Sequence, residues 1–240
     1  MGQDSRENSG ALRTDTQALS LSSALRALFV GEVLTADSVS SRKKVAIEAA
    51  NLLYYGVEKE YKQAKLKAAK TFGLHFMPTN FEIALEVDRI AEENEGAARQ
   101  ERLVRMRKEA LRIMNMLKKY DPLLVGSVWR GTIHHDSDLD IIVHHEQPEE
   151  VLKAVEQTGL KIQRTEWVNV TKRGKKKGSF HIHTESPIKE QVEIIVHSPD
   201  EACLNEKCAI YGDEIVGLRL RELEKVLEET PTQRFVPSES

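Results

Sequence analysis

Two aspartates one residue apart, Asp138 and Asp140, alternate with apolar neighbours Leu139, Ile141 and Val143. On a strand, successive side chains point to opposite faces. The two carboxyls therefore project together, roughly 6.5–7 Å apart along the chain, while the apolar residues face a core. Adjacent carboxylates repel, and one tends to hold a proton unless a cation sits between them. Mg²⁺ suits such hard oxygen donors and keeps coordination positions for substrate phosphates. Paired carboxylates are the usual protein half of a phosphoryl-transfer metal site. Upstream, Gly126-Ser127 follows the short apolar run Leu123–Val125. A glycine there permits a tight turn. The exposed N–H groups and the Ser127 hydroxyl are then candidates to hold phosphate oxygens, and Arg130 adds positive charge close by.

These residues need elements to position them. Residues 1–20 are polar and aperiodic and read as a disordered tail. From about residue 21 to residue 120 the pattern is helical, with Ala46, Ala49, Leu52 or Leu53, and Val57 at helical spacing. A charged helix over 58–72 stops at Gly73. Thr79 and Glu82 have the spacing of a capping box at the start of the next helix, whose buried stripe is Ile83, Val87 and Ile90. A long helix over 97–120 carries Leu103, Met106, Ala110, Met114 and Leu117 on its apolar face. After Asp121-Pro122 the pattern changes. Strands are expected over 138–143, 161–171, 179–185 and 191–197, the second and third joined as a hairpin, with helices over 148–159 and 217–229. The reading is an α+β chain with a helical N-terminal domain over 21–96 and a second domain over 97–240.

In order, the apolar run, Gly126-Ser127, Arg130-Gly131, Ser137-Asp138-x-Asp140 and the apolar residues that follow resemble the signature of the polymerase β-like nucleotidyltransferase superfamily. The resemblance covers about residues 111–196, and the whole chain is similar to stand-alone archaeal proteins of this type. It implies a mixed sheet flanked by helices. It also implies a third carboxylate on a later strand, the place Glu193 occupies within 191–196. In such a protein Asp138, Asp140 and Glu193 are the catalytic residues and hold two Mg²⁺ ions, with Mn²⁺ able to substitute. Gly126, Ser127, Arg130 and Ser137 contact the nucleotide. The implied reaction moves a nucleoside monophosphate from an NTP, ATP being the expected donor, to a hydroxyl, releasing pyrophosphate. Val128 stands where relatives often carry Arg, a departure that bears on the phosphate contacts.

Lys172, Arg173, Lys175, Lys176 and Lys177 crowd the expected hairpin tip. They are either a clamp for an RNA backbone or a solvated edge-blunting turn. With Arg99, Arg102 and Arg105 along the long helix, they make RNA the first acceptor to consider. The bland reading of that arginine stripe is a solvated face paired with Glu101 and Glu109. Small-molecule or protein nucleotidylation is the alternative acceptor class, and a non-catalytic nucleotide or RNA-binding module the alternative of another kind. His181 and His183 share a strand face and are candidates to line the substrate cleft, although no Cys or His set has a recognised zinc spacing. Trp129 and Trp167 read as packing residues. The net charge of −3 exerts no global pull on polyanions, so any nucleic-acid contact must be local. No apolar run approaches the roughly 18 residues that span a bilayer, and the polar N-terminus lacks a signal-peptide core. With only Cys203 and Cys208, a reducing, cytoplasmic setting away from membranes is expected.

Overall fold

The structure, a computed structural model, describes residues 40–74, 77–172, 175–201 and 207–238. The expected tail over 1–20 and the first part of the expected helical domain lie outside the described residues. Helix α1 covers residues 40–54, and α2 is Tyr61–Phe72. The latter starts a few residues later than its charge pattern predicts and stops at Gly73, which is left-handed. Helix α3, Asn80–Met116, opens with the expected capping box. Thr79 Oγ1 accepts the Glu82 N–H at 3.1 Å, and Glu82 Oε2 accepts the Thr79 N–H at 2.6 Å. Arg42 of α1 also grips Glu82 with two bonds of 2.7 and 2.8 Å. That guanidinium, with the Thr79 cap, holds the Glu82 carboxyl down at about 2 against the opposing effect of burial.

Two apolar clusters divide the molecule. One joins α1, α2 and the start of α3 through Val45, Ala49, Tyr54, Ala68, Ile83, Val87 and Ala91. The other begins at Leu103 and gathers the rest of α3 with the sheet and its helices. Between them α3 breaks its helical backbone at Gly96 (φ 53°, ψ −133°). The expected pair of helices is thus one kinked rod serving both cores, finished by a single tight turn at Lys118–Tyr120.

The second part is a mixed sheet with helices. Its elements are β1 (Leu123–Val125), α4 (Gly126–Arg130), β2 (Leu139–His144), α5 (Pro148–Glu156), β3 (Lys161–Lys172), β4 (Lys175–Glu185), β5 (Gln191–His197), β6 (Leu218–Arg219) and α6 (Leu220–Glu229). The six strands lie in the order β3-β4-β5-β2-β1-β6. Only β2 and β5 run parallel, while the other neighbours are antiparallel. Residues 126–127, expected as a turn, begin the short helix α4 instead. β6 takes the first residues of the segment expected to be wholly helical. Leu139, Ile141 and Val143 of β2 and Val192, Ile194 and Val196 of β5 are buried against the helices. The alternate residues of both strands therefore face the other way, and that face carries the polar site.

Candidate metal centre and its cavity

Parallel pairing sets Asp140 directly beside Glu193. Asp138 stands just before β2, two residues from Asp140 and on the same face. Oxygens of all three carboxylates lie within 4.8 Å of one another. Glu193 in turn sits opposite His183 of β4, and His181 is opposite Ile195.

The two aspartates are electrically strained. Burial pushes the Asp140 carboxyl well above the usual carboxylate range, and the charges of Asp138 and Glu193 push it the same way. Asp138 is exposed, more open to solvent than Asp140. It too is raised, by burial first and then by Glu193, against opposing help from its own backbone N–H and from His183. Among the described residues no lysine or arginine forms an ion pair with any of the three; Glu193 touches only His181 and His183. The donor set is therefore three hard oxygens with like-charge strain that a divalent cation would relieve.

Gly126 is part of the same construction. Its φ is +71°, and a Cβ placed there would come within 1.9 Å of Asp140 Oδ2 and 2.9 Å of its Cγ. Only glycine both adopts that backbone without penalty and leaves room for the carboxylate. Asp138 and Asp140, but not Glu193, line a cavity of about 530 Å³ between the two parts of the molecule. Gly126, Ser127, Asp138 and Asp140 form one end. Tyr61 and Val87 from the helical part, with Tyr211 and Ile215, are among the apolar walls.

Arg130 lines the cavity but has its donors committed. Its guanidinium is sandwiched 4.4 Å from both the Trp129 and Tyr211 rings. It also donates to Asp213 at 2.7 and 3.1 Å and to the Phe235 carbonyl at 2.9 Å. Its place is to brace the cavity wall. Ser137 is likewise buried, and its Oγ accepts the His134 N–H at 2.9 Å. It shapes the loop before β2 and, like Ser127, lines the cavity. Trp129 is buried, and Trp167 lays its ring 5.3 Å from Phe180 on an otherwise exposed site. His181 and His183 are not among the cavity-lining residues. They stand on the far side of Glu193.

Two of the three arginines in the stripe on α3, Arg99 and Arg102, turn inward, while Arg105 is exposed and reaches Glu190 at 3.4 Å. Arg99 is buried, bonded to Asp88, to Glu92 at 2.6 Å and to the Ile133 carbonyl at 2.7 Å. Arg102 donates to the carbonyls of His134, His135 and Ser137 (2.7–3.0 Å) and to Glu190 at 2.6 Å. Arg107, fully buried, donates to the carbonyls of Val128 and Trp129 at 3.1 and 2.9 Å and of Pro231 and Gln233 at 2.8 Å each. Burial pulls it down to about 10, which still leaves it protonated at neutral pH. These arginines bind the loop that carries the aspartates to the long helix. Sequence reading missed that role because it lies in which way the stripe faces. The backbone of β3 and β4 pairs as far as Lys172 and Lys175. Arg173 and the side chains of Lys172, Lys175, Lys176 and Lys177 lie outside the described residues.

A family profile described as a domain of unknown function, DUF4269, matches residues 108–207, a span that includes all three carboxylates. Among solved structures, the crystal structure of JHP933 from Helicobacter pylori is similar at 17% identity, over 50% of this chain and 52% of that one, with a TM-score of 0.24. The chain thus spans about half the length of that protein, and an overlap so slight bears on neither fold nor site. No curated protein matches. Among the described residues no helix is long and apolar enough to cross a membrane.

Proposed function

We propose that the chain is a metal-dependent nucleotidyltransferase of the polymerase β-like type. It would move AMP from ATP, or another nucleoside monophosphate from its NTP, to a hydroxyl acceptor with release of pyrophosphate. The observation that carries this is the convergence of Asp138, Asp140 and Glu193 within 4.8 Å, without a lysine or arginine partner among the described residues, where the two aspartates line a cavity. That cavity, about 530 Å³, falls within the range of roughly 300–1,000 Å³ typical of small-ligand sites. When bound by the three carboxylates, a divalent ion supplies neutralisation of the triphosphate and activation of the attacking hydroxyl. The chain's own residues orient the substrate. Gly126 fixes the position of the Asp140 carboxylate, and the Ser127 hydroxyl faces the phosphates. The apolar wall of Tyr61, Val87, Tyr211 and Ile215 takes the nucleoside and keeps water from the reacting groups.

RNA remains the first acceptor, on the strength of the Lys172–Lys177 hairpin and the exposed Arg105, while Arg99 and Arg102 are occupied inside the protein. The cavity's size favours a second reading, a small-molecule acceptor. A nucleotide sensor without turnover would have little need of three clustered carboxylates. The test is incubation with each α-labelled NTP and Mg²⁺ against RNA, protein and metabolite fractions, with Asp138→Asn/Asp140→Asn as control. Label in one fraction with matching pyrophosphate supports the proposal. Label that survives in the double variant, or no pyrophosphate from any fraction, removes it. In the same assay Lys175→Ala/Lys176→Ala/Lys177→Ala should lose RNA labelling only if RNA is the acceptor.

A further inference from the structure

We propose that His181, His183 and Glu193 form a separate site for a divalent transition ion of the Zn²⁺ class, beside the aspartate pair and sharing only Glu193 with it. The two histidines project from one face of β4, and Glu193 projects toward them from β5. His181 Nδ1 lies 2.7 Å and His183 Nε2 3.5 Å from the same oxygen, Glu193 Oε1. Two imidazole nitrogens thus converge on one carboxylate oxygen, and the three donors all lie within 4.8 Å of one another.

A tetrahedral ion with ligands at about 2.0–2.2 Å separates its donors by roughly 3.4 Å. The His183–Glu193 distance already matches, and the His181–Glu193 contact opens by about 0.7 Å to admit the ion. The surroundings supply what such ligands need. Ser179 Oγ, on a buried residue, is 2.7 Å from His181 Nε2. It can accept that N–H and leave Nδ1 free to bind, the second-shell bond that orients metal-binding histidines. Glu166, opposite His181 on β3, has Oε1 2.9 Å from His183 Nε2 but stands outside the converging group of three, which leaves the fourth position to water. Arg164 Nη2 lies 3.3 Å from the same nitrogen, but its side chain is 65% exposed and can turn to solvent. Imidazole nitrogens suit Zn²⁺, Co²⁺ and their neighbours, whereas Mg²⁺ prefers the all-oxygen trio next door. The site stands on its own geometry, whether or not the chain transfers nucleotides.

The test uses the full chain, stripped with chelator and titrated with Co²⁺. One equivalent should bind with the strong visible absorption of a low-symmetry, four-coordinate ion, and Zn²⁺ should displace it. His181→Gln and His183→Gln should each weaken binding by roughly 100-fold, and Ser179→Ala by about 10- to 100-fold. Asp138→Asn/Asp140→Asn should leave the spectrum in place. Circular dichroism checks that each variant is folded. In the unaltered protein, bound Zn²⁺ should protect His181 and His183 from diethyl pyrocarbonate, mapped by mass spectrometry. Absence of the spectrum in the unaltered chain, binding indifferent to both histidine variants, loss of binding in the aspartate variant alone, or unprotected histidines would each overturn the site. Failure of the nucleotide-transfer assay would leave every one of these readings untouched.

Discussion

Replacing Gly126 with alanine tests how the aspartate pair is built. The substitution has two effects that can be separated. The first is conformational: φ is +71°, and an L-residue there loses roughly 1–2 kcal/mol. At about 2–4 °C per kcal/mol for a chain of this size, the metal-free protein should melt about 2–8 °C lower. The second is steric: the new Cβ would stand 1.9 Å from Asp140 Oδ2, whereas ordinary contact begins at 3.4 Å. The carboxylate must therefore retreat by about 1.5 Å, far beyond the ±0.2 Å or so that metal ligation tolerates. Gly159→Ala is the matched control, because its φ is +78° and nothing lies within 4 Å of its Cβ. The assay is thermal unfolding with and without Mg²⁺ or Mn²⁺. An ion present at 100 times its Kd stabilises by about 2.7 kcal/mol, which is roughly 5–11 °C here. The unaltered protein and Gly159→Ala should show that rise, and Gly126→Ala should not. Any transferase activity should fall by about 100-fold or more from the displacement alone. A Gly126→Ala protein with the full metal-dependent rise would refute the reasoning.

Asp140→Asn removes a buried charge that two neighbours oppose. It should raise the metal-free melting temperature, by about 1–2 kcal/mol of relief or roughly 2–8 °C, while abolishing the metal-dependent rise. The pH dependence has a definite sign. Asp138 and Asp140 are raised in the folded chain, so they burden folding where they are ionised, above their folded values, and that burden lifts as pH falls through those values. Calorimetric titration should accordingly show Mg²⁺ affinity weakening from neutral toward acidic pH, with protons released on binding; affinity independent of pH would contradict it. Arg102→Ala leaves Glu190, only 8% exposed, with Arg105 at 3.4 Å as its remaining partner, and frees three loop carbonyls. Breaking such a pair destabilises by about 3 kcal/mol or more, a fall of roughly 6–12 °C in thermal unfolding, and Arg102→Lys should recover only part of it.

The period of two through 138–143 tells which side chains share a face, because strand geometry is local. The capping spacing of Thr79 and Glu82 is legible for the same reason. What local pattern does not contain is partnership. That β5 lies parallel to β2, in the register that sets Glu193 against Asp140, depends on a crossover through α5 and the β3–β4 hairpin. Without the family resemblance, nothing in residues 191–196 would single out Glu193. Arg130 shows the same limit: it lines the cavity, and its partner Asp213, 83 residues later, which takes two of its hydrogen bonds, is nowhere in the local pattern. The stripe of Arg99 and Arg102 was visible as a stripe, but its direction was set by the carbonyls of residues 133–137, which no periodicity reports.

The disposition of these arginines bears on what the aspartates are for. Arg99, Arg102, Arg107 and Arg130 surround the loop that carries Asp138, and among the described residues each spends its guanidinium on a carbonyl or on a carboxylate outside the trio. A fold selected for stability alone would gain by turning one of them onto Asp140, whose charge is both buried and opposed. Here the cations hold the loop's shape, and the negative charge is left concentrated at the cavity end. A rigid loop with uncompensated charge is what a cation site requires, since the ligands are positioned in advance and the repulsion is released on binding. The cavity adds a further constraint. Its far wall includes Tyr61 and Val87 from the helical part, which α3 joins to the sheet across Gly96. The helical part therefore helps decide what fits against the two aspartates; under the proposed function, substitution of Tyr61 or Val87 should change nucleotide affinity more than metal affinity, both read by calorimetric titration.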